Sequence, residues 1–168
     1  MEYIFMIVPV VYKLALTLGI GSSTFALIFF IQSKQDGIVD ETERRFLRTV
    51  ITVMRVGMVG IVASLLFYTY AFWNSAVNLF ADPIFLMEST IMTVIILNAI
   101  LMQFRVMPMW LGPAIAGASW YSLFFLTSVP FTVTSYGMFI TYYALFGAVF
   151  YGVFTIIQHF FSPKPKVI

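Results

Sequence analysis

The chain has 168 residues, of which 61% are hydrophobic and only 10% charged, and its mean hydropathy is +0.98. Nine Lys and Arg against seven Asp and Glu leave a net charge of +2. A soluble domain carries roughly a quarter charged residues, so this composition excludes an ordinary cytosolic enzyme, a disordered region and a partner of nucleic acid. The apolar residues come in blocks too long for buried core helices, which predicts an all-α integral membrane helical bundle. Cysteine is absent, which removes disulfides, thiolate metal sites and cysteine nucleophiles.

A hydrocarbon core of about 30 Å needs roughly 20 helical residues, and five stretches qualify. The first covers about 3–31, broken only by Lys13 and a small-residue knot, Gly19-Ile20-Gly21-Ser22-Ser23. It is read as a permanent helix, because no basic region precedes it and it is too long for a signal peptide. Residues 32–48 form the one sizeable polar loop. In it Asp36-Gly37 is a turn signal, and Asp40 with Glu43 has capping-box spacing. A helix is therefore predicted from near Glu41, continuing into the second span at about 50–73. Arg44, Arg45 and Arg48 at its start, Arg55 one turn into the span and Arg105 read as anchors to lipid headgroups.

Asp82-Pro83 predicts an N-cap followed by proline at the first helical position, opening a third span at about 84–104 that contains Glu88 and Asn98. Pro108 and Pro113 bracket a short connection to a fourth span, 113–129, which makes the third and fourth helices expected neighbours. Pro130 ends the fourth, and a fifth follows at about 135–161 with no charge before His159. Trp73 and Trp110 fall at opposite interfaces. No stretch alternates with period two, which argues against a barrel. Gly19/Ser23, Gly60/Ser64, Ala114/Ala118 and Ala148/Gly152 each stand four apart, a spacing that lets helices approach closely. The whole chain reads as one transmembrane domain. Seven of the nine basic residues fall on one side of these spans and none in the opposite loops. The positive-inside rule then places the N-terminus outside and the C-terminus in the cytoplasm.

Ionisable groups inside a span are costly and are functional candidates by default. Lys13 lies ~14 Å and Glu88 about 6 Å below the outer face at the helical rise, so the two heads are expected to meet in the outer leaflet. Such a pair serves helix docking, proton or ion handling, or ligand recognition. Asn98 is read as a polar contact between helices. Among ten methionines, Met54 and Met58 share a helix face and Met107 and Met109 lie in the inner connection. Soft thioethers hold Cu(I), but methionine is also ordinary packing. With one histidine, a bis-histidine haem is excluded, leaving His159 with a methionine as the weak haem option.

The stretch 13–48, with its glycine-serine knot, Phe29-Phe30, Asp36-Gly37 and the Asp40–Glu43 helix start, resembles small bacterial integral membrane proteins distantly similar to the membrane domain of copper-resistance protein D. Ile96-Leu97-Asn98-Ala99 followed by Pro108 resembles that family's third helix, where glycine is more usual at the place of Ala99. The resemblance implies a bacterial polytopic fold. Relatives commonly carry histidine near the position of Lys13 and a basic residue near Glu88, so this chain departs at both positions that would support a metal or haem role.

The expectation is a multi-pass protein of the bacterial inner membrane, with no catalytic residue and no cofactor. Its expected partners are the lipid bilayer and either another membrane protein or a second copy of the chain. A structural or accessory role comes first. The alternatives are a small transporter or ion-handling protein using Lys13, Glu88 and Asn98, and a copper or haem protein.

Overall fold

In hydrocarbon no water is present to satisfy backbone N–H and C=O groups, so each spanning segment must satisfy its own, as helices do. The structure, a computed structural model, describes residues 2–36, 41–73, 78–104, 106–108, 111–130 and 135–161, and the side chains of those ranges without 2–5, 33–36 and 161. Five helices run along the chain: α1 (Glu2–Asp36), α2 (Glu41–Phe72), α3 (Pro83–Gln103), α4 (Leu111–Ser128) and α5 (Tyr136–Phe161). Four of them carry stretches long and apolar enough to cross a membrane: Met6–Gln32, Glu41–Phe72, Pro83–Gln103 and Tyr136–Phe160. The expected helix from Glu41 into the second span is one continuous element. Its proposed capping residue, Asp40, lies outside the described residues, as do Arg105, Met109 and Trp110.

The start of α3 follows its sequence signals. Asn78 accepts from the Phe80 N–H at 3.2 Å and caps a single 3-10 turn, Leu79–Ala81. Asp82 then accepts from the Ile84 N–H at 3.0 Å, with Pro83 filling a position where a missing N–H costs nothing.

α4 departs from the other four. It is short, rich in glycine, alanine and serine, and buries Gly112, Ala114, Ala116, Gly117, Ala118 and Ser119 along with Trp120. A helix packed against protein on several sides needs small residues for close approach more than it needs apolar bulk. α4 packs against α1, α3 and α5, while α1 packs against α2, α4 and α5. α4 is the most deeply buried of the five along its first three turns.

The most extensive pairing is α1 with α2, and it is a contact between backbones. A Cβ added to Gly57 would stand 2.8 Å from the Ala15 carbonyl oxygen and 3.0 Å from the Gly19 nitrogen. One added to Gly60 would meet the Ala15 Cβ at 2.8 Å. On its other side α1 carries the indole of Trp120, which is fully buried and lies where a Gly19 side chain would have to go. Ala15, Leu16, Ile61, Met87, Ile91, Trp120 and Leu123 form the main core around this crossing.

Three of the four small-residue pairs lie in contacts; the Ala148/Gly152 pair does not. Ala148 is exposed, and a Cβ on Gly152 would meet nothing within 4 Å. α5 packs instead through an aromatic ridge at helical spacing, Phe139, Tyr143, Phe146, Phe150 and Phe154. Phe150 rests over Gly117 of α4, Phe146 lies edge-on to Phe125 at 5.8 Å, and Phe154 meets Phe30 of α1 at 5.9 Å. Large rings fill the grooves that the small residues of α4 leave open, so the small face of α5 is turned outward.

The α1–α2 contact leaves no room for a methyl group. Gly57→Ala is expected to destabilise the purified protein in detergent by about 1–3 kcal/mol through overpacking. Gly147→Ala, where an added Cβ meets nothing within 4 Å, is expected to leave the unfolding midpoint unchanged or slightly raised. Equal effects of the two substitutions would remove the backbone contact as the controlling feature.

Candidate functional site

Tyr12, Ala15, Leu16, Gly19 and Ser23 follow one another at i, i+3, i+4, i+7 and i+11, one stripe of α1. Ala15 to Ser23 on that stripe are buried against α2 and α4, so Tyr12, one turn earlier, is carried into the same groove. There its hydroxyl donates to Oε1 of Glu88 on α3 across 3.4 Å, a long hydrogen bond. Glu88 is half-buried, about 8 Å below the start of α3 at the helical rise.

Lys13 does not reach Glu88. One residue along a helix is a rotation of about 100°, which takes Lys13 out of the groove and leaves it exposed. Among the described residues it makes no ion pair with Glu88 within 4.0 Å; an ion pair at this range joins Arg45 to Glu41, at 3.2 Å on the exposed start of α2. The expected Lys13–Glu88 salt bridge is thus replaced by the Tyr12–Glu88 hydrogen bond. Tyr12 was not among the residues singled out from the sequence. Its signal was the stripe it shares with Ala15 and Gly19.

Two cavities meet at this hydrogen bond. One, of about 300 Å³, lies between α1, α2 and the start of α3, with Tyr12, Tyr68, Asp82, Phe85 and Glu88 on its walls. The other, of about 550 Å³, lies between α1, α3 and the end of α4, and is lined by Tyr12, Lys13, Thr17, Glu88, Thr127 and Ser128. Both are open cavities at the end of the bundle that holds the first turns of α1, α3 and α5. Glu88 therefore has a carboxylate neighbour on one side, in Asp82, and a cation on the other, in Lys13.

Asn98 is far along α3 from this centre. Its Nδ2 donates to the Gly112 carbonyl at 2.9 Å and fastens α3 to the first turn of α4, while its Oδ1 is buried with no hydrogen-bond partner among the described residues. It belongs to a set of polar links between helices that also includes Thr24–Tyr121 at 2.8 Å, Ser119–Tyr143 at 2.7 Å and Thr90–Tyr136 at 2.9 Å.

The soft-ligand candidates are dispersed. Met54 and Met58 pack against the main core, Met107 is half-buried in the α3–α4 connection, and His159 is exposed in the last turn of α5. α2 packs on α1 and lightly on α3, whereas α5 packs on α4, α3 and α1, so Met54 and Met58 are not brought to His159. Among the described residues no group of three or more His, Asp or Glu stands close enough to hold a metal ion. Arg44, Arg45 and Arg48 line an exposed polar cleft at the start of α2, and Arg55 is exposed further along it.

A double-mutant cycle separates the two partners of Glu88. Tyr12→Phe combined with Glu88→Ala is expected to show a coupling of about 0.5–1.7 kcal/mol in unfolding experiments. Lys13→Met with Glu88→Ala is expected to be additive within about 0.3 kcal/mol. Stronger coupling to Lys13 than to Tyr12 would restore the ion pair. Comparison with protein-family models, curated proteins and solved structures gives no match, and what the chain does is inferred from the site itself.

Proposed function

We propose that this chain is a five-span protein of the bacterial inner membrane, N-terminus outside and C-terminus in the cytoplasm, that binds and moves a small cation at Glu88. It has no catalytic role in this reading. The observation that carries it is the meeting of two open cavities at a carboxyl group whose hydrogen-bond partner is a tyrosine and not a base. A carboxyl group at this depth is expensive to keep in a membrane protein, and a purely structural or accessory role would be served by a closed, apolar contact at the same place. The copper or haem reading, including the one implied by the resemblance to the copper-resistance protein D membrane domain, draws no support from residues held on helices that are not packed neighbours.

With this topology both cavities lie toward the outer side, because the arginines gather at the opposite end of α2. α4, though shorter and less apolar than the rest, is counted as the remaining crossing. Its neighbours α1, α3 and α5 bury most of its first three turns, while Phe124 and Phe125 further along are exposed.

Two measurements test this reading. The chain has no cysteine, so single substitutions report cleanly on sidedness. Asn78→Cys is expected to react with a membrane-impermeant maleimide on intact spheroplasts, and Glu41→Cys only after permeabilisation. The reverse pattern would invert the topology. In proteoliposomes, the protein is expected to conduct or exchange at least one of H⁺, Na⁺ and K⁺ above empty liposomes. Glu88→Gln is expected to lower that flux by about tenfold or more, a change worth ~1.4 kcal/mol. Flux absent, or equal in the wild type and Glu88→Gln, would end the cation reading in favour of an accessory role.

A further inference from the structure

We propose that the cavity between Glu88 and Asp82 is a binding site for a small organic monocation, a protonated amine or quaternary ammonium group carrying an apolar substituent. The inference rests on Glu88 being a cation site and adds the chemical class of what occupies it.

Size comes first. At about 300 Å³ the cavity is at the lower end of pockets that take small organic ligands. A bare metal ion needs several oxygen ligands closing to about 2.0–2.6 Å, and among the described residues no three acidic or imidazole groups gather here.

The sign of the charge is set by the walls. Asp82 and Glu88 both face this space, and among the described residues no basic one lines it, since Lys13 belongs to the neighbouring cavity. An anionic ligand would meet two carboxyl groups without a counter-charge. Asp82 commits Oδ1 to the Ile84 N–H, and a carboxylate has a second oxygen left for a cation at the mouth.

The remaining surface argues for an organic ligand. Tyr12, Tyr68 and Phe85 present aromatic rings, and an ammonium group is drawn to the face of such rings once it leaves water. Phe85 is buried and held edge-on by Phe80 at 5.8 Å, which fixes it as floor; Tyr68 is exposed and forms the rim. The Ser64 hydroxyl is already bonded to the Gly60 carbonyl at 2.8 Å. Apolar side chains of α1, α2 and α3 complete the enclosure and suit a hydrocarbon substituent. Carboxyl groups at one side and rings at the others match a cation with an apolar body.

The test is calorimetric titration of the full-length protein in nanodiscs with phenyltrimethylammonium, against tert-butylbenzene, which has the same shape without the charge, and against empty nanodiscs. The cation is expected to bind saturably, and the neutral compound to show nothing beyond partition into lipid. Tyr68→Leu at the rim is expected to weaken binding by about two- to thirtyfold. Asp82→Asn keeps the helix cap while removing the charge, and is expected to weaken it by about tenfold. Equal binding of the neutral compound, or indifference to both substitutions, would overturn the proposal. If phenyltrimethylammonium does not bind while Na⁺ or K⁺ flux still depends on Glu88, the organic class is wrong and the cation site stands. If both are absent, both readings fall.

Discussion

The bundle depends on how closely α1 is gripped between its two neighbours. On one side the backbones of α1 and α2 touch through Ala15, Gly19, Gly57 and Gly60, and on the other the Trp120 ring fills the space that a side chain at Gly19 would take. In hydrocarbon, apolar side chains gain nothing by leaving lipid for protein, so helices associate through dispersion contacts that need near approach. Residues without side chains supply that approach. With α1 fixed in both directions, its rotation is fixed as well, and Tyr12 is carried into the groove toward α3 while Lys13 is carried out of it.

A second set of contacts, polar ones, works beside the glycine contacts. α1 meets α4 through Thr24 and Tyr121, α4 meets α5 through Ser119 and Tyr143, α3 meets α5 through Thr90 and Tyr136, and α3 meets α4 through Asn98 and the Gly112 carbonyl. Each bond is worth only about 0.6–1.7 kcal/mol in a membrane, but a polar atom in an apolar setting has few other partners. The bonds therefore act as registers, choosing one rotation of each helix among several of similar packing energy. Tyr12 and Glu88 belong to this set by geometry, at 3.4 Å the longest of these links.

What separates the Tyr12–Glu88 link from the others is its surroundings. The remaining polar links join helices in direct contact, whereas this one stands between two open spaces and has Asp82 beyond one of them and Lys13 beyond the other. A hydroxyl can hold a carboxyl group without neutralising it. A lysine in the same place would close the site with its own cation. In the proposed reading, replacing the expected salt bridge by a hydrogen bond leaves the carboxyl group open to a positive charge from outside.

The amino-acid sequence by itself determined the class of the protein and the starts of α2 and α3, whereas α1 runs on to Asp36, five residues past its expected end. Apolar runs of helix-spanning length leave the backbone no alternative in lipid, and local signals such as Asp82-Pro83 or the acidic start at Glu41 act through the nearest few residues, so they read directly from the chain. It also picked out Glu88, because a charge within an apolar run is conspicuous wherever the run folds. Only the tertiary structure decided which residues meet. Whether Lys13 or Tyr12 faces Glu88 turns on one residue of helix rotation, fixed by contacts between segments far apart in sequence, Gly19 with Gly57 and with Trp120. The same holds for α5, whose aromatic ridge displaced the expected Ala148/Gly152 contact because α4 offered grooves of matching depth. Contacts of that kind are properties of paired surfaces and are not written in either strand of sequence alone.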